Sequence, residues 1–355
     1  MVNIQKTYII FLYLSNKIYT KWMKMYRKLL IVLFMYSLVF GEVPILNAGD
    51  LEKNSKTSFL DNILYYLYKP VTYLLPHMEM RKPIYETETQ YYNIRVEQDE
   101  QGLMHLVFLP RKGSQSIYDP AKPDRLVSSF MKYAFLSLPA LGHKPEKVLF
   151  IGLGGGIMPM FIRKNFPDTE IDIVEIDDAI PQIAEDYFGF VKDSKMSVNI
   201  GDGRVYVNKT KLEYDIIFLD VYNAESIPFQ FTTVEFFKKL KTNLASDGVL
   251  AINLANLANE KFIPAELNTL FSVFKNGYIF VCPGETNYVP ILLADETIDF
   301  GDFENAVLKY DSKNIFNFKF EELMKNHLDD DNLNLLMKRN ESVYTDDFAP
   351  VNLLH

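Results

Sequence analysis

The chain has 355 residues, enough for one large domain or two modest ones with a packed core. Hydrophobic residues make up 48% and charged residues 23%, which excludes a disordered chain, and the net charge of -9 argues against a nucleic-acid surface, where clustered Lys and Arg must neutralise phosphates. A single cysteine, Cys282, excludes a disulfide framework or thiolate metal site within one chain, and the five histidines show no HExxH-like spacing, so no metal is expected.

At the N-terminus, Lys21, Lys24, Arg27 and Lys28 precede an apolar stretch from Leu29 to Phe40, and Val39 and Gly41 offer small enough groups for cleavage before Glu42. Residues 1–41 therefore read as a signal peptide or membrane anchor; a hydrophobic helix packed on the domain and a mis-set start codon are the alternatives. With a signal, the protein is exported or membrane-associated through this end; without one, it is cytoplasmic. Residues 42–84, broken by Pro70 and Pro76, read as a linker or peripheral segment. A small β domain with a connecting helix is expected over 85–140. In it QYYNIRVEQ and LMHLVFLP are strands around a DEQG turn, RKGSQSIYDPAKPD is a loop, and a helix runs from about Arg125 to Leu138.

Over 145–355 the runs alternate in type. KVLFIGL, IDIVEI, SVNIGDG, YDIIFLD, GVLAINL, GYIFVCP and YVPILLA read as strands; IMPMFIRKNF, AIPQIAEDYFGF, VEFFKKLKTNL and NEKFIPAELNTLFSVF read as intervening helices. Continuous apolar strands separated by helices predict an α/β domain with a mostly parallel sheet covered on both faces. Its ligand belongs at the carboxyl ends of the strands.

Four strand ends carry candidate chemistry. In GLGGG, Gly152, Gly154, Gly155 and Gly156 allow a tight turn and close backbone approach to a ligand, and the turn lacks the Lys-Ser/Thr of a P-loop. It suits a dinucleotide or a sulfonium nucleoside; a packing turn without ligand is the alternative. Glu175 closes the next strand with two oxygens that match the two hydroxyls of a ribose. Asp202 lies between Gly201 and Gly203 in GDGR, placed to accept from an adenine amino group, or else to cap its own turn. Asp220 ends YDIIFLD, where a ligand's reactive end would lie; a helix cap or loop bond is the alternative.

GLGGG, VEIDD, GDGR and YDIIFLD, in this order behind a β unit with GSQS, resemble the spermidine/spermine synthase family over about Tyr85 to Ala294. The resemblance implies a class I methyltransferase-like Rossmann fold preceded by a β-hairpin domain. It also implies aminopropyl transfer from decarboxylated S-adenosylmethionine to a small-molecule amine, with the cosubstrate not tightly bound. Carried across, Gln115, Gly152, Gly154 to Gly156 and Gly203 line the nucleoside site, Glu175 holds the ribose, Asp202 the adenine, and Asp220 orients or deprotonates the amine. Ile157 and Asn223 stand where the family has acids, and the helix that supplies acidic and tyrosine groups reads SSFMKYA. These departures are similar to a divergent bacterial spermidine-synthase-like subgroup, many of whose members are membrane-associated. Asn223, Asp346 and Asp347 are the remaining substrate-binding candidates, the last two if the TDDFAP tail folds back over the pocket. Methyl transfer from S-adenosylmethionine and a non-catalytic nucleoside-binding scaffold are the competing functions; the acceptor and homodimer formation stay open.

Overall fold

The computed structural model describes residues 81–110, 113–223, 227–255, 261–284, 287–295 and 297–348. These fall into two compact units, one holding residues up to 86 with 95–102, the other 87–94 with 103–355. The division follows neither 85–140 nor 145–355. Within the described part of the smaller unit, Arg95 bridges Glu86 at 3.0 Å and Glu97 at 3.7 Å.

Strands β1 (Lys82–Glu88), β2 (Asn93–Gln98), β3 (Met104–Leu109) and β4 (Ser114–Tyr118) form a four-stranded sheet in sequence order. DEQG is the turn between β2 and β3, as its composition predicts, while β4 lies inside the segment expected to be a loop. Polar GSQS lacks the apolar run that marks a strand, yet Ser114 to Tyr118 pair antiparallel with β3 across a register shift between Leu106 and Val107. The single helix expected over 125–138 is two short ones, α1 (Ser129–Ala134) and α2 (Ser137–Leu141), the second ending at Gly142 in a left-handed conformation.

The remaining elements in chain order are β5 (Lys147–Ile151), α3 (Ile157–Asn165), β6 (Glu170–Glu175), α4 (Ile180–Tyr187), β7 (Met196–Ile200), α5 (Gly203–Lys209), β8 (Tyr214–Leu219), α6 (Val234–Lys241), β9 (Leu244–Ile252), β10 (Leu254–Ala255), α7 (Phe262–Val273), β11 (Asn276–Val281) and β12 (Asn287–Leu293). Three C-terminal helices, α8 (Phe300–Asp311), α9 (Phe320–Met324) and α10 (Asp330–Met337), follow. Five strands run parallel in the order β7-β6-β5-β8-β9. β12 joins antiparallel to β9 and β10 along one edge and to β11 along the other. This is the expected Rossmann-like α/β sheet.

Alternation along the strands explains the two covered faces. Phe150 on β5 and Phe218 on β8 stack at 4.7 Å, and Phe135 packs between Phe218 and Phe161 of α3. Leu149, Ile151, Ile217 and Leu219 point the other way, into a cluster with Phe236, Phe237 and Leu240 of α6 and Leu267 and Leu270 of α7. Each such side chain contributes about 1.5–3 kcal/mol on burial, so both layers hold the sheet that carries the strand ends.

No helix among the described residues is long and apolar enough to cross a membrane. The reading of a signal peptide and a membrane-associated protein is corrected on that finding. The segment it was placed on, 1–41, lies outside the described residues, as does the linker segment through residue 80; the end of that segment already belongs to β1.

Candidate active site

A cleft opens at the carboxyl ends of the parallel strands, lined by Gly152, Leu153 and Gly154 after β5, Glu175 at the end of β6, Gly201 and Gly203 after β7, and Asp220 to Tyr222 after β8. The chain can turn there because residue 152 is glycine. Its φ is +97°, and a Cβ would stand 2.2 Å from the carbonyl oxygen of Asp220. The turn is fixed from both sides: Gly152 N donates to Val174 O at 2.8 Å and Asp220 N donates to Ile151 O at 3.0 Å.

Glu175 is buried, and its two oxygens each accept one backbone N–H, Oε2 from Leu153 and Oε1 from Asp177, both at 3.0 Å. Burial pushes its carboxyl up, against the pull of these backbone donors. Each carboxylate oxygen keeps a further acceptor site, so two hydroxyl donors still fit. Asp177 follows, fully buried, bonded to Thr89 and accepting from Ala179 N at 3.0 Å. It anchors the chain ahead of α4.

Asp202 is the N-cap of α5, its Oδ1 accepting from Val205 N at 3.0 Å, while the glycines on either side reach the cleft. Capping was the bland alternative for this residue, and it is what the side chain does here. The helix it caps was absent from the sequence expectations, because GRVYVNK is short and β-branched.

Gln115 reaches the cleft from β4, beside Ser116, whose hydroxyl accepts from Gly155 N at 2.9 Å. Ser116 is thus a site residue that sequence reasoning missed; its signal was the GSQS motif, read for its glutamine alone. At the other end Tyr92 stacks on Phe108 at 4.1 Å and 7°, its hydroxyl donating to Tyr222 O at 3.3 Å. Met131, Ile157 and Met158 add apolar wall. Ile157 does face the cleft, so the missing acid leaves an apolar surface.

Asp220 is half-buried at this end, and the protein around it pushes its carboxyl up to about 6, opposed by a hydrogen bond from Asn253. Outside the cleft, against Val221 and Asn253, Glu266 of α7 is 1% exposed with Oε2 unpartnered among the described residues, and burial pushes its carboxyl well up.

Gly155 and Gly156 are not in the cleft lining and lie against Phe188 and Phe190 instead, and Asp202 is outside the lining as well. Three further candidates lie elsewhere. The cleft lining includes Tyr222 but not Asn223. Asp346 does fold back with the tail, but onto Arg204 at 2.5 Å and the Thr233 hydroxyl at 2.7 Å, not into the cleft. Asp347 is exposed beside it. The tail binds α5 and the start of α6 because Arg204 offers a guanidinium and Val234 N a donor to Tyr344 O.

The Spermine/spermidine synthase domain family matches residues 130–306. A polyamine aminopropyltransferase of Vibrio vulnificus (strain CMCP6) is 35% identical over 215 residues, 59% of this chain and 71% of that protein. A mouse eEF1A lysine and N-terminal methyltransferase is 33% identical over 155 residues, 41% of this chain but 22% of that protein. The crystal structure of spermidine synthase from Thermotoga maritima shares the fold, with a TM-score of 0.54 and 20% identity over 74% of this chain and 89% of that one.

Proposed function

The chain belongs to the spermine/spermidine synthase family, and on that premise we propose that Asp220 is the general base of its reaction. The protein is a spermidine-synthase-like transferase that moves an aminopropyl group from an S-adenosylmethionine-derived donor. The donor is the decarboxylated form and the acceptor a small-molecule amine. One observation carries the reading: a half-buried carboxyl at a strand end, with its acidity weakened to about 6, opens on the same cleft as the glycine turn and Glu175.

The residues fit the donor's nucleoside. Glu175 retains acceptor sites for two ribose hydroxyls, the turn from Gly152 to Gly154 lets backbone approach, and Gly201, which has nothing within 4 Å of where a Cβ would stand, leaves space for a base. Asp202 has Oδ1 engaged with Val205 as the cap of α5, which leaves Oδ2 as the acceptor for an adenine amino group.

In the displacement, the amine nitrogen attacks the propyl methylene beside the sulfonium. The carbon–sulfur bond breaks, its electron pair returns to sulfur as a neutral thioether, and the nitrogen's proton passes to Asp220. The amine must react neutral, although an alkylammonium titrates near ~10.4. A carboxylate with pKa about 6 is a better proton acceptor at neutral pH than one near 4, and it aligns the nitrogen while doing so.

The test is release of methylthioadenosine from decarboxylated S-adenosylmethionine with mono-, di- and polyamines, in the native chain and Asp220→Asn. Turnover that depends on Asp220 is expected. Product formation from S-adenosylmethionine alone, with none from the decarboxylated donor, would replace aminopropyl transfer by methyl transfer.

A further inference from the structure

β9 and β10 pair with the same edge of β12 in one continuous register, Ala251 opposite Ile291 and Leu254 opposite Tyr288. Asn253 stands in the gap between them. It is 8% exposed, and all its polar groups are engaged. Its backbone N–H donates to Leu219 O at 3.1 Å, and its carbonyl accepts the Tyr222 hydroxyl at 2.5 Å. Its Nδ2 donates to Asp220 Oδ1 at 2.9 Å, and its Oδ1 accepts from Asn287 Nδ2 at 2.6 Å. The Tyr222 hydroxyl in turn accepts from Ala255 N at 2.6 Å.

The direction of this chain follows from charge, not from how an amide is drawn. An ionised carboxylate only accepts, so Asn253 must turn its NH2 toward Asp220. Its oxygen then faces Asn287, which must present its own NH2. Two amides are thereby oriented by one carboxylate, and the carboxylate by them.

We propose that Asn253 and Asn287 are positioning residues for the reaction: Asn287 locks the Asn253 amide, and Asn253 holds Asp220 Oδ1 so that Oδ2 addresses the amine. The inference rests on the reading of Asp220 as the base. The Asn253 N–H continues the pairing with the end of β8 at Leu219, which sets its side chain beside Asp220. A second effect follows from the same bond. Burial favours the protonated carboxyl, and the Asn253 donor favours the ionised form that the reaction uses.

The experiment follows the Asp220 carboxyl by carbon-13 NMR titration, its signal assigned by loss in Asp220→Asn, with Asn253→Leu and Asn287→Leu beside the native chain. Leucine keeps the branched shape of asparagine and removes the donor. The midpoint should rise by about one pH unit in Asn253→Leu, the order expected for losing one hydrogen bond to a charged group, and by less in Asn287→Leu. Aminopropyl transfer from decarboxylated S-adenosylmethionine to whichever of those mono-, di- and polyamines is turned over fastest should show the same displacement of its acid limb, with kcat down about tenfold on the plateau from misalignment. An unmoved midpoint in Asn253→Leu overturns the proposal; if that variant fails to fold, an unmoved midpoint and unchanged kcat in Asn287→Leu do so. Undiminished turnover in Asp220→Asn removes the base and this inference with it. Loss of turnover there with an unmoved midpoint in Asn253→Leu leaves the base and removes the inference alone.

Discussion

The two ends of the cleft are built on different plans. At the nucleoside end the contacts come from short consecutive stretches, Gly152 to Gly154, Glu175 and the Gly201–Gly203 turn, and much of the surface is backbone. At the acceptor end Tyr92, Phe108, Met131, Ile157, Asp220 and Tyr222 meet from across more than a hundred residues, and the surface is side chain. Backbone surfaces demand particular residues in particular turns and change little when neighbours change. Side-chain surfaces are set by whatever each contributing element presents. The same fold can therefore hold one donor nucleoside while its acceptor varies.

Substitutions separate the two plans. Asp220→Asn should reduce kcat by about 10²–10⁴-fold, the range of general-base contributions, while methylthioadenosine affinity measured by calorimetry stays as it was. An equal loss in both would mean the two ends are one site. The native rate should also fall as pH drops through about 6, because the base must be ionised. The sign for stability is opposite. The carboxyl binds its proton more tightly folded, at about 6, than at the ordinary aspartate value of about 3.9, so folding stability is lost as pH rises between those values. Asp220→Asn should thus be the more stable protein at pH 8, by ~1–3 kcal/mol after allowing for the water that reaches the rim, with the advantage gone at pH 3.5. Denaturant curves at both pH values check it.

Gly152→Ala should destabilise the fold by ~3 kcal/mol, since it adds a strained φ of +97° to a Cβ set against the Asp220 carbonyl. A small effect in urea unfolding would mean that the turn relaxes freely. Glu175→Gln should weaken methylthioadenosine binding by ~1–3 kcal/mol, the loss of hydrogen bonds to a charged group, with kcat at saturating donor nearly unchanged. Asp346→Ala, which frees the tail from Arg204 and Thr233 outside both ends, should cost ~1 kcal/mol or less of stability and leave nucleoside affinity as it was. A larger change in affinity would bring the tail back into the site.

These plans also explain what the sequence made legible. The strands from β5 to β9 declared themselves as apolar runs, and the nucleoside candidates sat in motifs a few residues long, so Gly152, Gly154, Glu175 and Asp220 could be named together and all line one cleft. Ser116 escaped because a polar strand looks like a loop until its partner is known. Tyr92, Asn253 and Asn287 escaped because nothing local distinguishes a cleft tyrosine or a network amide from surface ones. Asp346 was mistaken for a pocket acid because folding back was foreseen and Arg204 was not.

The contact between position 152 and the carbonyl of residue 220 also bears on how such an enzyme can be re-engineered. Because the glycine turn rests on the backbone that presents Asp220, the two cannot be exchanged as independent modules. A graft that brings in another acceptor loop has its free splice point after Asp220, where Val221 and Tyr222 begin the side-chain surface. A splice placed before it would displace the floor on which the nucleoside turn is built.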